Sequence, residues 1–144
     1  MQRKNKRQSR VVALQMLFSM KMIYGKIGSN LPAYIDFHKK AAVEIKEYAE
    51  LLVKGVSENI DEIDEMIKMY CKNWDLCRLA AIDLNILRIG VFELVFCSDI
   101  PSAVIINEAI EIAKIYGSDD SPGFINGLLD NVRKRVRESV IGDR

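Results

Sequence analysis

Along this chain, long apolar stretches at helical spacing are separated by a few short polar breaks. Between about residues 8 and 24, Val11, Leu14, Leu17, Phe18 and Met22 recur at steps of three, four and one, which lays a single apolar stripe along a helix. The stretch GKIGSNLP, with Gly25, Gly28 and Pro32, closes that helix as a loop. From Ala41 to Ile60 the pattern resumes with Val43, Ile45, Tyr48, Leu51, Leu52 and Val56, while Glu44, Glu47 and Glu50 line the outer side. A third helix, capped by Asn59 or Asp61, runs to about Tyr70 with Ile60, Ile63, Met66, Ile67 and Tyr70 inward. Trp74 anchors the crossing to the second half.

The stretch from about Leu79 to Cys97 is apolar on nearly every side, and a helix of that kind belongs at the centre of a bundle. Arg88 and Glu93 interrupt it. A charge that deep is costly unless paired, and Glu108 on the following helix is the expected partner of Arg88. Pro101 and Ser102 open the fifth helix, with Val104, Ile105, Ala109, Ile112 and Ala113 inward and Gly117 stopping it as a C′ residue. After the turn GSDDSP, Ser121 reads as an N-cap with Pro122 at N1 of a sixth helix. That helix uses Ile125, Leu128, Leu129, Val132 and Val136 and ends in the basic run Arg133, Lys134, Arg135 and Arg137. Only three prolines and eight glycines punctuate the chain, and no strand pattern competes, so the fold class is all-α.

Composition sharpens this picture. A length of 144 residues fits one domain, and 49% hydrophobic with 28% charged residues is the balance of a chain with a core. Cys71, Cys77 and Cys97 form an odd set without a CxxC pair, which suggests neither a disulfide framework nor zinc. The expected compartment is the reducing cytoplasm. The greasiest stretch, LAAIDLNILRIGVFELVFC, is broken by Asp83, Arg88 and Glu93, so no membrane span is expected. There is one histidine, His38, and no readable nucleophile, phosphate loop or metal-ligand spacing. An enzyme and a bound cofactor are therefore not expected.

The charge is more telling than its total. Seven basic residues and no acidic one lie before Asp36, which leaves 14 basic against 20 acidic residues, a net of −6, in the remainder of a chain whose total is +1. The first ten residues, MQRKNKRQSR, hold five of those cations. A helix N-terminus prefers anions, so this choice is locally unfavourable and is compensated by something outside the helix. A phosphate backbone does so; a solvated tail is the plain alternative. At GSDDSPGFING, the two carboxylates Asp119 and Asp120 would repel a phosphate. They suit the amino groups of bases, with Phe124 available for stacking, or else Phe124 is simply a core residue behind a capped helix start.

Three blocks carry a resemblance: ILRIGVFEL at 86–94, IPSAVIINEAIEIAKIYG at 100–117 and SDDSPGFINGLLD at 118–130. In order and spacing they resemble the C-terminal half of the NusB family of transcription antitermination factors. The basic run leading into RVVALQMLFS is similar to that family's arginine-rich start. The chain departs from the family pattern at Asp83-Leu84-Asn85, where an acidic and then a basic residue are frequent, and at Cys77, where an acid is frequent.

The resemblance implies two antiparallel three-helix subbundles packed as one NusB-like domain over 1–144. Its parts would be a basic arm over 1–10, an N-terminal half over 11–70 and a C-terminal half over 76–138. It implies a non-catalytic antitermination factor that binds single-stranded boxA RNA of ribosomal RNA operons together with the small-subunit ribosomal protein NusE, within the antitermination complex with RNA polymerase. Carried over by motif, the RNA contacts would be Lys4, Lys6, Arg7, Arg10, Gln15, Tyr70, Asp120 and Phe124. The NusE contacts would be Phe18, Met22 and Asp83. The competing reading is a protein-only helical scaffold or a self-associating regulatory domain, using the apolar and acidic surfaces with RNA irrelevant.

Overall fold

The computed structural model describes residues 3–24, 42–71 and 79–138, with the backbone alone described at 3, 4 and 21–24. His38, Trp74, Cys77 and the Gly25–Pro32 loop lie outside the described residues, as do the side chains of Lys4 and Met22. Among the described residues there are six helices and no strand: α1 (Arg3–Tyr24), α2 (Val43–Glu58), α3 (Ile60–Tyr70), α4 (Ala81–Phe96), α5 (Ser102–Tyr116) and α6 (Ser121–Val136). The all-α expectation holds, because apolar residues at steps of three and four leave each helix one face to bury. No helix among the described residues is long and apolar enough to cross a membrane.

By its contacts the chain divides into two compact units, Met1–Asn59 and Ile60–Arg144. In the first, α1 packs along α2. Leu14, Met16, Leu17 and Met20 of α1 and Ala49, Leu52, Val53 and Val56 of α2 are buried. The Ser9 hydroxyl lies 3.0 Å from the Ile45 carbonyl of α2 and 2.9 Å from the Asn5 carbonyl one turn back. Helix α1 begins at Arg3, about five residues before the apolar stripe predicts. Ser9 and Arg10 are buried within it, and it is tertiary packing of this kind, more than propensity, that sustains a helix end.

In the second unit, α3, α5 and α6 all pack on α4, and α5 also pairs with α6. This is the central position that an all-round apolar helix demands: Ile86, Leu87, Ile89, Val91 and Leu94 are all buried. Where α4 packs on α6 the approach is close: a Cβ at Gly90 would stand 2.9 Å from Leu129 Cδ1, and the leucine would have to shift to admit it. Helix α3, which the sequence reading grouped with the N-terminal half, belongs by contacts to this second unit. Its attachment is ionic as well as apolar. Arg88 of α4 donates through Nε and Nη2 to the two carboxylate oxygens of Asp64 at 2.9 and 3.0 Å, and through Nη1 to Asn85 at 3.1 Å. The partner of Arg88 is thus Asp64 rather than Glu108, which is itself buried on α5.

The end of α4 is closed by a residue from the far end of the unit. Arg137, just past α6, is buried, and its guanidinium donates to the carbonyls of Glu93, Leu94, Cys97 and Ile100 at 2.6–3.2 Å. Those at 93, 94 and 97 belong to the last turn and cap of α4, where carbonyls run short of helical partners; the Glu93 and Cys97 carbonyls also accept the Cys97 and Ile100 N–H groups. Cys71 is buried and its thiol is pushed up by that burial. Cys97 is half-buried. Both sit as packing residues at helix ends.

Candidate nucleic-acid interface

The cations of the N-terminal run ride on the first turns of α1, which carry no acidic residue. Lys6 is half-buried with Nζ 5.4 Å from the centre of the Tyr48 ring of α2, a cation–π distance. Arg7 is also half-buried, whereas Arg10 is 2% exposed and enclosed by the protein. Gln15 is exposed on the same helix and Phe18 is half-buried. Of the cations of this run whose side chains are described, then, Lys6 and Arg7 reach the surface and Arg10 does not. Tyr70 is half-buried at the end of α3 in the second unit.

The second unit holds a cleft of about 270 Å³ where the first turn of α4 meets the turn before α6. It is lined by Leu79, Ala80, Asp83, Ser118, Asp120, Ser121 and Phe124. Asp120 and Phe124, singled out from the sequence, come together here. So does Asp83, which the sequence reading assigned to a protein contact. Phe124 is half-buried at the cleft wall, its N–H bonded to the Asp120 carbonyl at 3.2 Å. This fits neither a core residue nor a freely exposed one.

The local geometry departs from the expected cap. Asp120, not Ser121, is the N-cap residue of α6, and its side chain makes no capping hydrogen bond. The Ser121 hydroxyl instead turns back. It accepts from the Ser118 N–H at 2.9 Å and donates to Asp83 Oδ1 at 2.7 Å. Gly117 is likewise glycine for a reason other than the expected left-handed C′ conformation. Its backbone is extended, at φ −94° and ψ −172°, but a Cβ there would stand 2.6 Å from Ser121 Oγ and 2.9 Å from the Ala113 carbonyl. Ser118 was not singled out from the sequence, and Ser121 only as a helix cap. The signal available was a serine pair three residues apart straddling a helix start, the spacing at which hydroxyls bond to nearby backbone.

Comparison with known proteins agrees on the family. The NusB family model matches residues 7–134. A transcription antitermination protein NusB from Geobacter sulfurreducens is 46% identical over 127 residues, spanning 88% of this chain and 92% of the relative. Among solved structures, T. maritima NusB superposes with a TM-score of 0.84 at 34% identity, covering 93% of this chain and 94% of that one. A chain from a crystal structure of antitermination factors NusB and NusE with dsRNA shares the fold, with a TM-score of 0.79 at 24% identity, covering 92% of this chain and 98% of that one.

Proposed function

The chain belongs to the NusB family, and from that premise we propose that it is a non-catalytic, cytoplasmic transcription antitermination factor. It binds the single-stranded boxA element of ribosomal RNA operons together with ribosomal protein NusE, within the antitermination complex on RNA polymerase. One observation carries this beyond family membership. Asp120 holds its carboxylate out of its own helix cap and shares a cleft with the half-buried ring of Phe124. A carboxylate beside an aromatic face is poor at holding phosphate and good at holding an unstacked base, whose amino hydrogens it accepts while the ring stacks.

Affinity comes from elsewhere. Lys6 and Arg7, with Lys4 beside them in the chain, supply phosphate contacts, and Gln15 and Tyr70 add polar and stacking contacts. Arg10, enclosed by protein, is not among these surface cations. Phe18 and Met22 remain the proposed contacts for NusE.

The test is a titration of labelled boxA-type RNA and of a scrambled RNA of equal length, with and without NusE, at two salt concentrations. The boxA-type RNA is expected to bind more tightly, more so with NusE. Its affinity should fall with salt at a log–log slope of about −0.7 per phosphate contact. Equal affinity for both RNAs in both settings overturns the proposal.

A further inference from the structure

Every hydrogen-bonding position of the Ser121 hydroxyl is occupied. Its one proton goes to Asp83 Oδ1 at 2.7 Å on α4, and it accepts the Ser118 N–H at 2.9 Å. Ser118 Oγ lies at 3.2 Å. Because the Ser121 proton is committed to the carboxylate, the Ser118 hydroxyl is the donor in this last pair. One buried oxygen therefore ties the turn 118–120 to the first turn of α4 and to the first residue of α6. The glycine at 117 completes the arrangement, since a side chain there would occupy the space that Ser121 Oγ fills.

The chain so tied carries Asp120, one residue before Ser121, and Phe124, one turn after it. Asp120 itself makes no capping bond that would fix its position. The direction in which its carboxylate and the Phe124 ring face the cleft is set by the path of the turn, and the turn is held by the Ser121–Asp83 bond. We infer that Asp83 and Ser121 are positioning residues for RNA, holding Asp120 and Phe124 in their binding arrangement before the strand arrives. This rests on the RNA reading above, and it gives Asp83 a role distinct from a contact with NusE. Preorganisation of this kind raises affinity by removing an ordering cost at the moment of binding.

Asp83→Ala and Asp83→Asn provide the discriminating pair. Both delete the same negative charge, but asparagine keeps an oxygen that accepts from Ser121 and alanine does not. With the chain alone, Ser121→Ala and Asp83→Ala should each weaken boxA-type RNA by about ten-fold and erode its preference over the scrambled RNA. Asp83→Asn should bind at least as well as wild type. The double variant Asp83→Ala/Ser121→Ala should lose no more than either single one, as two ends of one bond do. The salt slope should stay at its wild-type value throughout, because phosphate contacts are untouched, and the Ser118 amide proton should shift in Ser121→Ala. A general loss of structure would not leave the slope in place or be rescued by asparagine. Wild-type preference in Ser121→Ala, equal losses in the two Asp83 variants, or a loss for Asp83→Ala seen only with NusE present overturns the inference. A wild type without RNA preference sinks the RNA reading itself, and this one with it.

Discussion

Arg137 is the residue whose role is hardest to foresee and easiest to test. In the sequence it closes a basic run whose stated use is to favour the negative end of its own helix; in the fold it serves another helix, bonding carbonyls at the end of α4. Arg137→Ala strips the charged donors from that helix end, the Glu93 and Cys97 carbonyls keeping only a backbone N–H each, and should cost about 3 kcal/mol, read as a lower urea midpoint. Arg137→Lys should recover only part, because an ammonium lacks the planar fork that reaches several carbonyls at once. Its neighbours in the run behave differently. Asp130 is held below the ordinary aspartate range chiefly by the hydrogen bond from Arg133, at 2.9 Å, with Lys134 adding to it. A depressed carboxylate contributes stability above its unfolded pKa, and that contribution is lost as pH falls through the folded value. At 41% side-chain exposure the contribution is small. An NMR titration should give Asp130 a midpoint below other exposed aspartates, and Arg133→Ala should return it towards them.

At the scale of elements, the pattern of apolar positions foretold all six helices and the central place of α4, since burial of a stripe is a local instruction. It did not foretell which unit α3 joins. That is expressed in a two-pronged ion pair, Arg88 on α4 with Asp64 on α3, their side chains 11% and 19% exposed. Arg88→Ala leaves Asp64 half-enclosed without its cation and should lower stability by about 3 kcal/mol, with the largest loss of amide protection in α3. Equal loss across all helices would deny that the pair fastens α3. The turn between α5 and α6 was legible as a turn, with Ser121 as the expected cap. In the fold the Ser121 hydroxyl connects to α4 instead.

Across the whole molecule, the near-zero net charge conceals a division. Cations without any acid fill the first 35 residues and the rest is net acidic. Lys6 and Arg7 lie in one compact unit, and the cleft proposed to read a base lies in the other. Affinity and selectivity should therefore separate. Arg7→Ala should weaken boxA-type and scrambled RNA alike and flatten the salt slope by about 0.7. Phe124→Ala should reduce the preference between them, by up to the ~1–3 kcal/mol of one stacked base, at unchanged slope. Titrations of both variants against both RNAs at several salt concentrations measure this. A slope that Arg7→Ala leaves unmoved removes that side chain from the phosphate contacts.

The sequence by itself determined the helices, most of the core though not Val43 and Leu51, which are exposed, the charge asymmetry and the motif blocks that resemble the family, because each is written in residues within a few turns of one another. Only the tertiary structure decided that Arg10 is enclosed, that Arg88 meets Asp64 across 24 residues, that Asp83 meets Ser121 across 38, and that Arg137 caps α4 across 43. Helical periodicity specifies which face of a helix is apolar. It carries no information about which polar side chain on another helix comes within 3 Å, a matter settled when the faces pack.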